Sequence, residues 1–96
     1  MRRFRWSETA ADDLQRIAEH IRAYNPGLEH STIGFIVERA DILRQYPRIG
    51  RPWETDGAGV ELRTIVAGKR YRLIYQVSTQ DDVEILQVLD VRSDNQ

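Results

Sequence analysis

The chain has no cysteine among its 96 residues and no apolar run long enough to cross a bilayer. Without cysteine, disulfides, thiolate nucleophiles and Cys-bound metals are excluded, and a reducing, cytoplasmic location is expected. The first six residues lack the apolar segment of a signal peptide. The two histidines, His20 and His30, do not cluster with carboxylates at ligand spacing, so neither a metal site nor a cofactor is predicted.

Neither sign of charge dominates the composition. The formal net charge is −1, which argues against a protein that binds nucleic acid through bulk charge. The charges are unevenly placed, since residues 47–78 carry six cations and three acids, whereas residues 79–96 carry one cation and five acids. Only one of the 14 cations is a lysine, and arginine favours planar, bidentate recognition of carboxylate or phosphate.

The stretch from Gly59 to Val77 alternates between apolar and polar residues and contains Gly68-Lys69 near its middle. This pattern predicts a β-hairpin closed by a two-residue type II′ turn, because glycine suits the first central position of that turn. Counting outward from the turn gives three cross-strand pairs on one apolar face. The predicted pairs are Val66 with Tyr71, Thr64 with Leu73, and Leu62 with Tyr75.

The same register places Arg63 and Arg72 together on the opposite face of the hairpin, diagonal to each other. Two guanidinium groups on one side of a rigid sheet make this face the best candidate for a binding surface. The simpler interpretation, a pair of solvated cross-strand residues, stays open on the residues alone.

A short strand and two helical segments precede the hairpin. Alternation over residues 2–6 predicts the strand, with its two aromatic residues on the buried side. Ser7 is the predicted N-cap of a helix over residues 8–23, in which apolar residues recur at helical spacing. Asn25-Pro26 ends this helix and begins a second one, which Pro47 ends. Because the connection is so short, the two helices are expected to form an antiparallel hairpin.

Two further segments complete the predicted fold. Residues 47–59, rich in proline and glycine, are predicted to be irregular. Residues 83–91 are apolar on nearly both sides, which is typical of a central strand covered on both faces or completed by a partner. The chain is therefore predicted to be a single domain over residues 1–96, of class α+β, with the order β-α-α-β-β-β. In this fold an antiparallel helical hairpin packs on a small, mainly antiparallel sheet.

Several short motifs occur in a fixed order along nearly the whole chain. They are W-S-x-x-A-x-x-D-L-x-x-I-x-x-x-I from Trp6 to Ile21, N-P at Asn25-Pro26, P-x-x-G-R-P from Pro47 to Pro52, E-L at Glu61-Leu62, Y-R-L-I-Y from Tyr71 to Tyr75, and I-L-x-V from Ile85 to Val88. In this order and spacing they resemble the RelE/ParE superfamily of toxins from bacterial type II toxin–antitoxin systems. The first and third motifs resemble the ParE branch most.

Resemblance to the RelE branch would imply a ribosome-dependent endonuclease that cuts mRNA in the ribosomal A site. Arg72 matches the active-site arginine of that branch, Arg63 stands where it has a lysine, and Arg92 lies near a second arginine. Asp90 stands where a histidine often follows the last strand, and no C-terminal tyrosine follows. Arginine, with a pKa above about 12, cannot exchange the protons that RNA cleavage requires. No catalytic residue is therefore predicted.

Resemblance to the ParE branch implies a toxin that inhibits DNA gyrase by binding. It also implies a cognate antitoxin, encoded next to the toxin, which neutralises it in a hetero-oligomeric complex. The target or the antitoxin is expected to bind a set of arginines, Arg51, Arg63, Arg70, Arg72 and Arg92. Two alternatives stay open: a RelE-type mRNA endonuclease that acts on the ribosome, and a non-toxic module that only binds an antitoxin. None of the three involves a membrane.

Overall fold

Two α-helices pack on a five-stranded, mostly antiparallel sheet in the computed structural model, which describes residues 3–55 and 60–91. Along the chain the elements are β1 (Phe4–Trp6), α1 (Glu8–Tyr24), α2 (Leu28–Asp41), a 3-10 turn (Ile42–Arg44), β2 (Arg51–Thr55), β3 (Glu61–Ala67), β4 (Tyr71–Val77) and β5 (Val83–Asp90). The predicted α+β class is confirmed, with one strand more than predicted. No helix within the described ranges is long and apolar enough to span a membrane.

The strand order across the sheet is β1-β5-β4-β3-β2. β1 runs parallel to β5, and every other neighbouring pair is antiparallel. β5 therefore lies inside the sheet, as its apolar sequence predicted. Its pairing with β4 shifts between Ile74 and Tyr75, which leaves Leu86 as the extra residue of a β-bulge.

The core lies between the helices and one face of the sheet. Its buried side chains come from both helices, the 3-10 turn and three strands: Ala10, Ile36, Ala40, Leu43, Ile65, Ala67, Tyr71, Leu73, Tyr75, Val77, Val83, Ile85 and Val88. Alternate residues of β4 enter this core, because successive side chains of a strand point to opposite faces. Arg72, which lies between two of them, therefore points to the other face, here called the outer face.

The Trp-Ser motif ties α1 to the sheet. Ser7 caps the helix through its Oγ, which accepts a hydrogen bond from the Ala10 amide at 3.0 Å and donates one to the Leu86 carbonyl at 3.1 Å. One turn further along, Asp13 is buried, and its Oδ2 accepts a hydrogen bond from the Val88 amide at 2.9 Å. Both contacts flank the β5 bulge, where displaced backbone groups need partners. This part of the motif is therefore structural.

The end of α1 agrees with prediction to within one residue, whereas α2 begins later than predicted. Asn25 is the C-cap of α1, and its backbone N–H donates a hydrogen bond to the Ile21 carbonyl. Gly27 is the N-cap of α2, with a φ of 96° that glycine adopts without strain. The Glu29 carboxylate accepts a hydrogen bond from the Gly27 amide at 2.8 Å, which fixes this turn.

The hairpin formed by β3 and β4 is paired one residue away from the predicted register. A three-residue loop, residues 68–70, replaces the predicted two-residue turn, so that Ala67 opposes Tyr71. All three predicted cross-strand pairs were therefore wrong. Their β3 members lie on the outer face and not on the core side: Leu62, Thr64 and Val66. The physical reason is that both faces of β3 mix apolar and polar residues, so alternation alone does not specify which face is buried.

β2 forms within the segment that was predicted to be irregular, and that prediction was wrong. Arg51 pairs with Thr64 and Pro52 with Arg63, which makes β2 an edge strand. An edge strand accommodates proline because the missing N–H can face solvent. No described strand pairs with residues 65–67 on this side of β3, so that part of the sheet edge is open.

Candidate functional site

Arg63 and Arg72 point to opposite faces of the sheet, so the predicted surface that carries both does not exist. Arg63 pairs with Tyr75 on the helix side, whereas Arg72 pairs with Val66 on the outer face. The cause is the change in hairpin register, because a shift of one residue sends every side chain of β3 to the other face.

Contacts within the fold occupy Arg63. Its Nε donates to the Glu61 carboxylate at 2.9 Å, and one terminal nitrogen donates to the carbonyls of Gly50 at 2.6 Å and Arg48 at 3.2 Å. The side chain is only 18% exposed. Because these bonds hold the segment before β2 against the sheet, the role that the structure gives Arg63 is structural.

Gly50 also anchors the segment before β2, through a hydrogen bond to a core side chain. Its amide donates to the hydroxyl of the fully buried Tyr75 at 3.0 Å. Burial raises the pKa of Tyr75 above its ordinary value, which favours the protonated hydroxyl. A side chain does not fit here, since a Cβ at position 50 would lie 2.5 Å from the Tyr75 hydroxyl and 2.7 Å from the Thr64 carbonyl oxygen.

A cluster of ion pairs neutralises the cations next to this segment. The Glu61 carboxylate accepts hydrogen bonds from Arg48 at 2.8 Å and from Arg63 at 2.9 Å. Arg48 also pairs with Asp81, in the turn between β4 and β5. The hydrogen bond from Arg48, followed by that from Arg63, lowers the pKa of Glu61, while Asp81 and Glu61 raise the pKa of Arg48.

Arg70 is neutralised as well. Its Nε and one terminal nitrogen donate to the same Asp90 oxygen at 3.1 and 2.9 Å, and this carboxylate raises the pKa of Arg70. Asp90, which stands at the histidine position of the RelE branch, is therefore held in a salt bridge. Arg92 lies outside the described residues, so its role stays a prediction.

The two remaining predicted arginines, Arg51 and Arg72, lie in one pocket of about 230 Å³ at the open edge of β3. Its lining comes from α2, the segment before β2, and strands β2, β3 and β4: Arg39, Ile49, Gly50, Arg51, Thr64, Ile65, Val66 and Arg72. We call this the arginine pocket. Sequence reasoning missed Arg39, because the helical pattern of α2 does not indicate which strand edge its last turn approaches.

Among the described residues, three guanidinium groups and no carboxylate line the arginine pocket. The Nε of Arg39 donates a hydrogen bond to the Val66 carbonyl, on the open edge of β3, at 2.8 Å. The positive charge of Arg39 is not paired with a carboxylate of the described residues. The side chains of Arg51 and Arg72 make no hydrogen bond or ion pair with any residue that the structure describes. Two buried polar atoms, Arg72 Nε and Thr64 Oγ1, lack a hydrogen-bond partner there. The pocket is therefore electropositive and offers free donors to an anion.

The described lining of the arginine pocket suits an anion and carries none of the common proton-transfer groups. None of the described lining residues is a histidine, carboxylate, tyrosine or lysine, the side chains that most often act as general acids and bases. Within residues 3–55 and 60–91, no group of His, Cys, Asp and Glu side chains is arranged to hold a metal ion. The site as described is thus one for binding a negatively charged group.

Solved structures of bacterial toxins have the same fold. One, described as "Chromosomal ParDE TA system from P. aeruginosa", has a TM-score of 0.76 and 23% identity over 94% of this chain and 96% of that one. Another, described as "YoeB/ParE toxin from Agrobacterium tumefaciens", has a TM-score of 0.56 and 19% identity over 92% of this chain and 97% of that one. No curated protein sequence matches the chain significantly.

The family is shown by the sequence match. Residues 4–96 match the family model described as "ParE toxin of type II toxin-antitoxin system, parDE". That range contains every motif that carried the resemblance, from the Trp-Ser pair just before α1 to the last strand. The chain therefore belongs to the ParE toxin family of type II toxin–antitoxin systems.

Proposed function

We propose that this protein is a toxin that inhibits DNA gyrase by binding to it and is neutralised by a cognate antitoxin. Membership of the ParE family supports the proposal. So does the similar fold of the P. aeruginosa protein, which comes from a ParDE toxin–antitoxin system. Because gyrase acts on the bacterial chromosome, the proposed place of action is the cytoplasm.

The observation that carries the proposal is an electropositive pocket whose described lining lacks a common proton-transferring group. Cleavage of RNA requires one group to take the 2′-hydroxyl proton and another to protonate the leaving oxygen. Tyr71 and Tyr75 are buried in the core, and Asp90 is paired with Arg70. His20 and His30 lie on α1 and α2 and do not line the pocket. These placements favour inhibition by binding over catalysis.

The second candidate is a RelE-type mRNA endonuclease acting on the ribosome. The specific observation in its favour is that Arg72 shares a pocket with Arg39 and Arg51, because three guanidinium groups also suit a scissile phosphate. Under this alternative the pocket holds mRNA, and another residue or the ribosome supplies the acid and base.

Induced expression in a bacterial host separates the two candidates. A gyrase inhibitor arrests replication and induces the SOS response, whereas the message pool stays intact. An endonuclease of the RelE type produces mRNA ends that map to ribosomal A sites, without SOS induction. We expect SOS induction. We also expect co-expression of the protein encoded by the neighbouring reading frame to abolish it. Cleaved messages without SOS induction would contradict the proposal.

Asp90→Asn gives a matched control within this experiment. The amide oxygen keeps an acceptor for Arg70 but cannot act as a general base. We expect the variant to remain as toxic as the parent at equal expression. Loss of toxicity with an unchanged melting temperature would instead assign Asp90 a catalytic role and support the endonuclease.

A further inference from the structure

We infer that the arginine pocket receives the carboxylate of an acidic side chain of the antitoxin. The inference rests on the proposed function to the extent that it requires an antitoxin, and it names the chemistry by which that partner is recognised. Three independent features of the described residues support it: the distribution of ion pairs, the buried unpartnered donors, and the composition of the pocket rim.

The distribution of ion pairs distinguishes the arginine pocket from the rest of the described surface. Seven arginines of the described chain pair with carboxylates: Arg5, Arg16, Arg22, Arg44, Arg48, Arg63 and Arg70. Four described arginines have no carboxylate partner, although the chain as a whole carries 15 acids against 14 cations. Three of them, Arg39, Arg51 and Arg72, line the arginine pocket, whereas Arg3 precedes β1 at the opposite edge of the sheet. The unpaired guanidinium groups are thus concentrated in the pocket, where an acidic side chain of a partner would supply a carboxylate.

Two buried donor atoms of residues that line the pocket have no acceptor in the described part of the chain. Thr64 is 7% exposed, lines the pocket, and has a hydroxyl without a partner. The Nε of Arg72 is buried and equally unpartnered. Buried donors without acceptors destabilise a folded chain, so an acceptor that reaches these two atoms through a small shift of their side chains would relieve that cost. A carboxylate accepts through two oxygens, enough to bind a guanidinium and a hydroxyl together.

The rim of the pocket favours a protein over a nucleic acid. Ile49 and Val66 both line the pocket and are 54% and 48% exposed, which suits the apolar neighbours of an acidic side chain. A polynucleotide needs a row of available cations to follow its phosphates. Here the neighbouring Arg48 is already neutralised by Glu61 and Asp81, so it is not available to a phosphate beside the pocket.

The first test uses the toxin alone, with arginine Nε–H resonances as reporters. N-acetylglutamate N-methylamide is titrated into 15N-labelled protein, and inorganic phosphate and a short RNA are titrated in parallel. The inference predicts that the carboxylate saturably shifts the Nε–H signals of Arg51 and Arg72, while the exposed Arg22 signal stays in place. Shifts with phosphate or RNA but not with the carboxylate would overturn it, and so would no shift with any probe.

The second test measures the affinity of the full-length toxin for the protein encoded next to it. Arg72→Met and Arg51→Gln are each expected to weaken binding at least about tenfold, since each removes a charged hydrogen bond. Lys69→Gln, which removes the same charge from the nearby hairpin loop, is expected to change the dissociation constant less than about twofold. Replacing the engaged antitoxin Glu or Asp by its amide should then cost less affinity in the Arg72→Met background than in the parent, because the contact with Arg72 is already lost.

Thermal stability separates a binding role from a structural one. Arg72→Met removes a buried unpartnered donor and keeps an apolar stem of similar length, so the melting temperature of the free toxin is expected to stay the same or rise. Lower stability together with lower affinity would make Arg72 structural and would overturn the inference. If the neighbouring protein binds every variant equally, the pocket assignment fails while the proposed function stands. If no antitoxin binds the parent toxin, the proposed function fails first.

Discussion

Gly50 shows how a single residue fixes the segment that borders the arginine pocket. A Cβ at this position would meet the Tyr75 hydroxyl at 2.5 Å, the Thr64 carbonyl oxygen at 2.7 Å and Ile65 Cγ2 at 2.9 Å. The Gly50 amide also donates to that hydroxyl. The glycine of the G-R-P motif is thus required by packing, which the sequence indicated only as a resemblance.

We expect Gly50→Ala to lower the free energy of unfolding by about 1–3 kcal/mol, the usual cost of overpacking in a core. All three contacts are with backbone or buried atoms that have little room to move, so the cost is expected in the upper half of that range. Urea unfolding followed by circular dichroism measures it. An unchanged midpoint would contradict the packing at this position.

Asp13 and its neighbour Asp12 offer a matched pair on α1. Asp13→Ala leaves the buried Val88 amide without an acceptor and is expected to cost about 1–3 kcal/mol of stability. Asp12→Ala, at an exposed position, is expected to stay within about 0.5 kcal/mol of the parent. Equal effects in chemical denaturation would show that the Asp13 contact with β5 does not hold α1 to the sheet.

At the scale of elements, hydrophobic periodicity predicted both helices and the strands β1, β3, β4 and β5. It failed for β2 and for the hairpin register. β2 has no apolar alternation, and it exists because β3 offers it a partner edge. The register depends on long-range contacts of the loop: Arg70 binds Asp90 through its side chain, and its carbonyl accepts from the Val91 amide at 2.7 Å. Local pattern therefore left the faces of β3 undetermined.

The register also decided the candidate site. With the predicted pairing, Arg63 and Arg72 shared a face; with the observed pairing, Arg63 holds the Gly50 segment and Arg72 lines the pocket. The predicted set of arginines included Arg51 and Arg72, which lie in one pocket, whereas their third neighbour, Arg39, comes from a helix and was not predicted. Only the packing of α2 against β3 brings it there. That these arginines bind a partner stays a prediction.

Gly34 provides a prediction for α2 that complements the one for Gly50. It lies inside the helix, and a Cβ there would meet nothing within 4 Å. Because glycine costs a helix interior about 0.5–1 kcal/mol relative to alanine, Gly34→Ala is expected to stabilise the protein by that amount. A thermal melt measures the gain. Destabilisation would mean that the open space beside α2 is filled in the free protein.

At the scale of the whole molecule, the cluster of Arg48, Glu61, Arg63 and Asp81 couples stability to pH. Hydrogen bonds to arginine lower the pKa of Glu61 below its ordinary value of 4.5 in the folded state. Its stabilising contribution is therefore fully present above that ordinary value and is lost as the pH falls through the lowered pKa. Because the cluster joins β3, the segment before β2 and the β4–β5 turn, acid is expected to loosen these three together.

The corresponding measurement compares melting temperatures of the parent and Glu61→Gln between about pH 7 and pH 3. The variant is expected to melt lower than the parent at neutral pH, and the difference is expected to shrink as the pH falls. Glu38→Gln, an exposed change on α2, serves as the control and should leave the parent profile unchanged. A Glu61→Gln difference that persists undiminished at the acidic end would contradict the assigned linkage.

The molecule as a whole is a ParE-family fold in which most described arginines pair with carboxylates, while three of the four that do not line one pocket, whose described lining lacks common proton-transfer groups. The central claim, action by binding to gyrase, is tested most directly with purified components. The protein is added to DNA gyrase with relaxed plasmid and ATP, and in parallel to translating ribosomes with defined messages. We predict loss of supercoiling and intact messages. Normal supercoiling together with messages cut at the ribosomal A site would contradict the claim.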